Sequence, residues 1–206
     1  LQGESKTVGL PTIFIRLTGC PLRCQYCDTE YAFQGGQWWS FDKIISEVKK
    51  YNTPYITLTG GEPLAQKTSL SLLKQLSDLG YNISLETSGA LDIQDVDPRV
   101  IKVMDLKTPS SNEEHKNNYS NLNFITEHDQ IKFVICNRED YDWAVNVVGK
   151  YKLSKNCEVL FSPVNLADSD NVNIRKDLAN WILADQLSVR FQIQLHKIIW
   201  GNIQGV

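Results

Sequence analysis

Three cysteines fall within eight residues, as Cys20-Pro21-Leu22-Arg23-Cys24-Gln25-Tyr26-Cys27. Thiolates are soft ligands that select iron–sulfur clusters, zinc or copper(I). Three of them can hold three corners of a 4Fe-4S cube and leave the fourth iron open to a small molecule. A fully ligated electron carrier wants a fourth cysteine nearby. The remaining two, Cys136 and Cys157, lie more than a hundred residues further on, in apolar runs, and read as small buried hydrophobes. Zinc could use three cysteines and a histidine, but the nearest is His115 and no second CxxC follows. A disulfide with a spare thiol belongs to small secreted scaffolds, which this chain does not resemble. Open coordination implies chemistry at the cluster.

A second segment, Thr59-Gly60-Gly61-Glu62-Pro63, could serve the same site. Glycines permit close backbone approach, so exposed carbonyls and Glu62 could receive a cationic amine. Alone, the segment would suit a structural turn. Beside an open iron the two motifs explain each other: an amino acid chelates the iron through its amine and carboxylate while the glycine edge holds the amine.

These segments need a scaffold that brings them together. Apolar, β-branched runs at 12–17, 55–58, 82–86, 100–106, 130–136, 157–161 and 190–195 read as strands. Their near-continuous hydrophobicity suggests a parallel sheet covered by helices. Phe41, Ile44, Ile45, Val48 and Tyr51 form one helical stripe, with Ser40 as its N-cap. Leu70, Leu73, Leu76 and Leu79 form another, ended by Gly80 in the left-handed position. Residues 141–153 and 175–187 supply two more helices, the latter burying Leu178, Trp181 and Ile182. A full eight-unit barrel needs about 250 residues. At 206 residues the fold class is α/β, an incomplete TIM-like barrel open at one side. The motifs all follow strands, so they converge on the C-terminal face, where such folds place their sites.

Composition narrows the partners. The 21 basic and 24 acidic side chains give a net charge of −3, without the basic stripe expected for direct nucleic-acid binding. No apolar run approaches the roughly 20 residues of a membrane span. The hydrophobic fraction of 42% is ordinary, and residues 1–206 read as one domain. The start, Leu1-Gln2-Gly3-Glu4, has neither initiator methionine nor signal pattern, so a short segment is expected to be missing before it. A cluster-ready thiol trio with no targeting signal points to a reducing cytoplasm.

CxxxCxxC after the first strand, with GGEP after the next, resembles the radical S-adenosylmethionine superfamily. The resemblance implies that a reduced 4Fe-4S cluster on Cys20, Cys24 and Cys27 cleaves S-adenosylmethionine to a 5′-deoxyadenosyl radical. It also implies cofactor contacts at Tyr26, Gly60, Gly61, Glu62, Glu86, Thr87, Ser88, Lys107 and Ser162. Within the superfamily, Leu1-Gln2-Gly3-Glu4-Ser5, Arg16-Leu17-Thr18-Gly19-Cys20, Cys27-Asp28-Thr29-Glu30, the run Asp105–Ser111 and Gln194-Leu195-His196-Lys197 resemble the 7-carboxy-7-deazaguanine synthase family over essentially the whole chain. One departure is Ser5, where that family usually has glycine; ordinary dihedrals there would tolerate the change.

That resemblance implies ring contraction of 6-carboxy-5,6,7,8-tetrahydropterin to 7-carboxy-7-deazaguanine with loss of ammonia, on the route to queuosine, begun by hydrogen abstraction at C6. It implies a magnesium ion on Thr29 with Asp28 nearby, consistent with magnesium's preference for oxygen donors. It implies substrate contacts from Gln2, Gly3, Glu4, Arg16 and His196, an external one-electron reductant such as flavodoxin or ferredoxin, and a homodimer. No acid or base is assigned. Lys107 and the polar loop 108–118 suit either a pocket cover or an ordinary surface loop. Two rival readings are an activase that makes a glycyl radical on a partner protein and a non-catalytic iron–sulfur redox scaffold.

Overall fold

The computed structural model describes residues 1–165, 170–201 and 203. Its seven strands are β1 (Ile13–Leu17), β2 (Tyr55–Gly60), β3 (Asn82–Thr87), β4 (Ile101–Asp105), β5 (Gln130–Ile135), β6 (Glu158–Pro163) and β7 (Arg190–Phe191). All pairings are parallel and follow chain order, and among the described residues β1 and β7 do not meet. The sheet is therefore a barrel left open along one side. The helices are α1 (Phe41–Val48), α2 (Ser69–Asp78), α3 (Arg138–Tyr151), α4 (Leu153–Asn156), α5 (Asp170–Ala184) and α6 (Leu195–Trp200).

Local chemistry sets several boundaries. The Ser40 side chain accepts from Lys43 N, capping α1 as expected. After α2, Gly80 takes φ +88°, the left-handed turn that glycine enters without steric cost. The Asn137 side chain accepts from Asp140 N at the start of α3. Among the described residues no helix is long and apolar enough to cross a membrane.

The strands do not read as uniformly apolar once paired. Register places Arg16 beside Thr59, Thr57 beside Ser84, Asp105 beside Lys132 and Val134 beside Ser162, all facing inward. The alternate positions Ile56, Leu58, Ile83, Leu85, Met104, Ile131, Phe133 and Phe161 face outward and make the core with the helices. Leu72, Leu73 and Leu76 of α2 and Leu178 of α5 join them there. Full burial of one such side chain is worth about 1.5–3 kcal/mol. Edge-to-face contacts of Phe133 with Phe161 and of Tyr141 with Phe161, with centroids 5.5 and 5.9 Å apart, tie α3 to β5 and β6.

The polar inner face is occupied by residues 2–6. Gln2 Nε2 donates to Thr57 Oγ1 at 3.1 Å, Ser5 N donates to Gln192 Oε1 at 2.8 Å, and Lys6 N donates to Gln130 Oε1 at 2.8 Å. Gln192 Nε2 returns a bond to Ser5 O at 3.0 Å. These bonds satisfy buried polar groups that would otherwise be costly.

Several expectations change. Beyond Phe191 the chain turns from the sheet to the N-terminal segment, with Leu195 N donating to Gly3 O at 3.0 Å. The expected strand 190–195 is thus two residues long, and Leu195 opens α6. Helix α5 starts at Asp170, before the expected 175, and Trp181 is only partly buried. Cys136 and Cys157 are half-buried, not sealed in the core. The 108–118 stretch is not a free excursion: it forms 3-10 turns in which Thr108 and Ser111 are fully buried.

Ser5 also departs from expectation. It carries φ +63° while almost fully buried, so the dihedrals tolerated there are those of glycine. A non-glycine residue in that region costs about 1–2 kcal/mol. Ser5→Gly should therefore stabilise the fold by about 1 kcal/mol net of glycine's added unfolded-state entropy, raising Tm by about 2–4 °C. Thermal unfolding followed by circular dichroism checks this; an unchanged or lower Tm would show that the Ser5–Thr7 hydroxyl bond outweighs the backbone strain.

Candidate active site

The cysteine loop follows β1 and lies against the end of β2 without intervening side chains. Gly61 N donates to Leu17 O at 3.1 Å and Glu62 N donates to Gly19 O at 2.7 Å. A Cβ on Gly60 would come within 2.2 Å of Leu17 O. One on Gly61 would sit 2.4 Å from Gly19 O and 2.8 Å from Cys20 Cβ. The glycine pair is a steric requirement of this contact.

Further bonds shape the loop. Cys27 N donates to Cys24 O at 3.1 Å, and Arg23 Nη1 donates to the carbonyls of Cys20 and Leu22. The 108–118 turns clamp its far side: Gln25 N donates to Ser111 O at 3.1 Å, and the Glu113 carboxylate accepts from Arg23 N. Leu22 is buried beneath it. All three loop thiols are free and partly exposed. Burial pushes each above the ordinary thiol range, Cys24 to about 11, so metal uptake must displace protons.

Glu62 is not placed to receive an amine. It is fully buried and does not line the cavity. Its carboxylate accepts from Leu64 N at 3.0 Å, Thr87 Oγ1 at 3.0 Å, Ser88 N at 2.7 Å and Ser88 Oγ. Glu62 therefore fixes the end of β3 against the end of β2, where sequence reasoning expected a direct ligand contact.

A cavity of about 840 Å³ opens over these strand ends. Cys20, Cys24, Cys27, Tyr26, Gly60, Gly61, Glu86, Thr87, Ser88, Lys107 and Ser162 line it, and so do Gln2, Glu4, Arg16, Asp28, Thr29 and His196. Of the residues expected at the site, Gly3 joins Glu62 outside the lining. Its missing side chain makes room for His196, whose Nδ1 would lie 2.0 Å from a Cβ there. Tyr26 reaches Thr108 Oγ1 at 3.4 Å, and the Thr29 hydroxyl donates to Asp28 Oδ1 at 2.7 Å. Arg16 lies on the exposed β1 edge, its guanidinium 5.5 Å from the Tyr31 ring centre.

Sequence reasoning missed a polar network that connects the cavity's two sides. Asp105 Oδ2 lies 3.1 Å from Lys107 Nζ and 3.6 Å from Lys132 Nζ, and Lys132 pairs with Glu4 Oε2 at 2.8 Å. Gln194 Nε2 donates to Glu4 Oε1 at 2.8 Å and to Asp28 Oδ2 at 3.2 Å. Burial lowers the Lys132 pKa, but Glu4 and Asp105 outweigh it and hold it well above normal. Burial would likewise raise Glu4, but Lys132 wins and holds it below the usual carboxylate value. Glu86 is pushed up by burial and by the charge of Glu4, and His196 is pushed down, chiefly by burial. The available signal was a lysine between Ile131 and Phe133 in an apolar strand: an ionisable side chain there needs a partner.

The donor set fits an iron–sulfur cube. Three free thiols border a cavity that the bare Gly60-Gly61 edge also lines. Among the described residues no three His, Cys, Asp or Glu side chains are grouped as ligands of one metal ion. The thiolates of a cube each bind a different iron, so they need not converge on a point.

An open parallel barrel with this thiol trio at its C-terminal face defines a radical S-adenosylmethionine protein, and residues 14–152 match the Radical SAM superfamily. The chain is 42% identical to the 7-carboxy-7-deazaguanine synthase of Koribacter versatilis, over 97% of this chain and 93% of that one. It is 38% identical to that of Chlorobaculum tepidum, over 100% and 93%. It belongs to the 7-carboxy-7-deazaguanine synthase family of radical S-adenosylmethionine enzymes. The crystal structure of QueE from Escherichia coli shares the fold, with a TM-score of 0.76 at 22% identity over 95% of this chain and 90% of that one.

The glycine contact is directly testable. Gly61→Ala should push Cys20 away from the β2 end and lower the iron and sulfide bound per chain after anaerobic reconstitution, with far-ultraviolet circular dichroism retained. Normal iron content would show that the loop can yield to a methyl group.

Proposed function

We propose that this chain converts 6-carboxy-5,6,7,8-tetrahydropterin to 7-carboxy-7-deazaguanine with release of ammonia, using a 4Fe-4S cluster, S-adenosylmethionine and Mg2+. The observation that carries this reading is that Glu4, Arg16 and His196, expected at the substrate, line the same cavity as Cys20, Cys24 and Cys27. The near full-length relatives named for this activity support it. When bound, the cluster and S-adenosylmethionine would supply the radical chemistry for hydrogen abstraction at C6 of the substrate.

The protein's own groups bind and orient. The three cysteines hold the cluster, while the bare edge at Gly60 and Gly61 leaves room beside it. Tyr26, Glu86, Thr87, Ser88, Lys107 and Ser162 surround the cofactor, and Glu62 acts through Thr87 and Ser88. Glu4, kept ionised by Lys132, accepts from the N–H edge of the pterin, with Gln2 and Gly3 shaping the backbone beside it. The exposed Arg16 fork pairs with the substrate carboxylate. His196, neutral where burial lowers its pKa, offers one donor and one acceptor to the ring. Thr29 holds magnesium by a neutral hydroxyl, with Asp28 adjacent, since the substrate brings its own carboxylate. An external one-electron reductant such as flavodoxin or ferredoxin, a homodimeric state and a cytoplasmic setting complete the reading, with no direct contact to nucleic acid.

The decisive experiment is anaerobic reconstitution followed by a product assay with the tetrahydropterin, S-adenosylmethionine and magnesium. Formation of the deazaguanine is expected; cofactor cleavage without it would defeat the substrate assignment. Thr29→Ala should flatten the magnesium titration while S-adenosylmethionine binding stays normal. Arg16→Lys keeps the charge but loses the planar fork, so substrate KM should rise roughly tenfold, equivalent to about 1.4 kcal/mol. An unchanged KM would place Arg16 outside the carboxylate site.

A further inference from the structure

Gln194 occupies the N-cap position of α6, but its side chain does not cap the helix. Its amide nitrogen instead donates to two carboxylates from distant parts of the chain, Glu4 Oε1 at 2.8 Å and Asp28 Oδ2 at 3.2 Å. An ionised carboxylate only accepts, and a side-chain amide nitrogen carries two hydrogens, so each carboxylate takes one. All three residues line the active-site cavity. Beyond Asp28 the run of bonds continues, because Asp28 Oδ1 accepts from the Thr29 hydroxyl at 2.7 Å. That bond commits the one hydroxyl hydrogen to Asp28 and leaves the Thr29 lone pairs for a cation. The backbone beside Gln194 is anchored too: Leu195 N donates to Gly3 O at 3.0 Å, and His196 lies against Gly3.

We infer that Gln194 is a positioning residue that couples the two halves of the site, holding the pterin anchor Glu4 and, through Asp28, the magnesium ligand Thr29 with a single amide. The inference rests on the functional reading above, which puts the pterin on Glu4 and magnesium on Thr29. The two halves are held unequally by their other neighbours. Glu4 is 14% exposed and has the Lys132 ammonium at 2.8 Å on its second oxygen, whereas Asp28 is 40% exposed and has Lys197 at 3.8 Å. Without the amide, two like charges lose the donor between them, and Asp28 loses a partner that fixes its direction towards Thr29. Groups that orient a metal ligand are worth about 10–100-fold in metal affinity.

Gln194→Leu removes both donors at similar volume. Pterin affinity is measured anaerobically on the reconstituted enzyme with S-adenosylmethionine but no reductant, so that no turnover occurs, first in EDTA and then across a magnesium titration. We expect the variant to bind the pterin at least about threefold more weakly in EDTA and to need at least about threefold more magnesium for half its effect. Iron content and S-adenosylmethionine affinity should stay at wild-type values. A smaller change in either quantity overturns the inference, as does a parallel loss of S-adenosylmethionine affinity.

A purely structural role is separated by a second background. In Glu4→Ala enzyme, a residue acting through Glu4 has no carboxylate left to position there, so the effect of Gln194→Leu in EDTA should fall below about twofold. An effect that persists above that range overturns the inference. Wild-type enzyme that binds no pterin would overturn the functional reading, and the inference with it; normal wild-type binding with an indifferent variant removes the inference alone. Should Gln194→Leu fail to take up iron, Gln194→Met, unbranched and of similar length, is judged by the same criteria.

Discussion

The backbone contact between the end of β2 and the cysteine loop is the constraint on which the site depends. It brings two strand ends closer than any side chain allows, through bonds from Gly61 N and Glu62 N to the carbonyls of Leu17 and Gly19. The same turn leads the Glu62 carboxylate under the end of β3, where Thr87 and Ser88 fasten to it. One short segment thus fixes the relative positions of three strand ends. Bonds to a buried carboxylate are charge-assisted and worth about 1.5–3 kcal/mol each. That rigidity suits a site whose cofactor and substrate must be held in register.

The second organising element is the N-terminal segment. A closed barrel fills its interior with layers of branched apolar side chains. This sheet is open, and its inner face carries Thr57, Ser84, Gln130 and Gln192, all buried. Gln2, Ser5 and Lys6 answer those groups with hydrogen bonds, and the strain at Ser5 is tolerated because the surrounding bonds over-determine its conformation. The floor of the cavity is therefore polar and built from the chain's first residues. It hands over to the Glu4–Lys132–Asp105 network that spans the chamber.

Much of this was legible from sequence, for specific reasons. The cysteine trio and the glycine pair announce themselves because few other residues could replace them. Ser40 and Gly80 mark helix ends by local chemistry alone. The position of Glu62 after β2 is readable, but the sequence does not show that Thr87 and Ser88, at the end of the next strand, take up its carboxylate. Lys132 goes unmarked, and Asp105 and Gln194 stand in family-like runs without a role, because each gains one only through partners distant in sequence. The strand expected at 190–195 is cut short for a related cause, since Leu195 N donates to Gly3 O and not to β6. Non-local pairing is what single-sequence patterns lack.

The alternation along the strands separates two kinds of position. Ile131 and Phe133 face the helices while Lys132 and Val134 face the chamber, so neighbouring residues meet different physical demands. Inward positions can drift towards new ligands without opening voids beneath the helices, because residues with no shared partners contribute nearly independently. Such a division lets one scaffold diversify its chemistry while keeping its foldedness, and it makes the inward set the natural target for redesign.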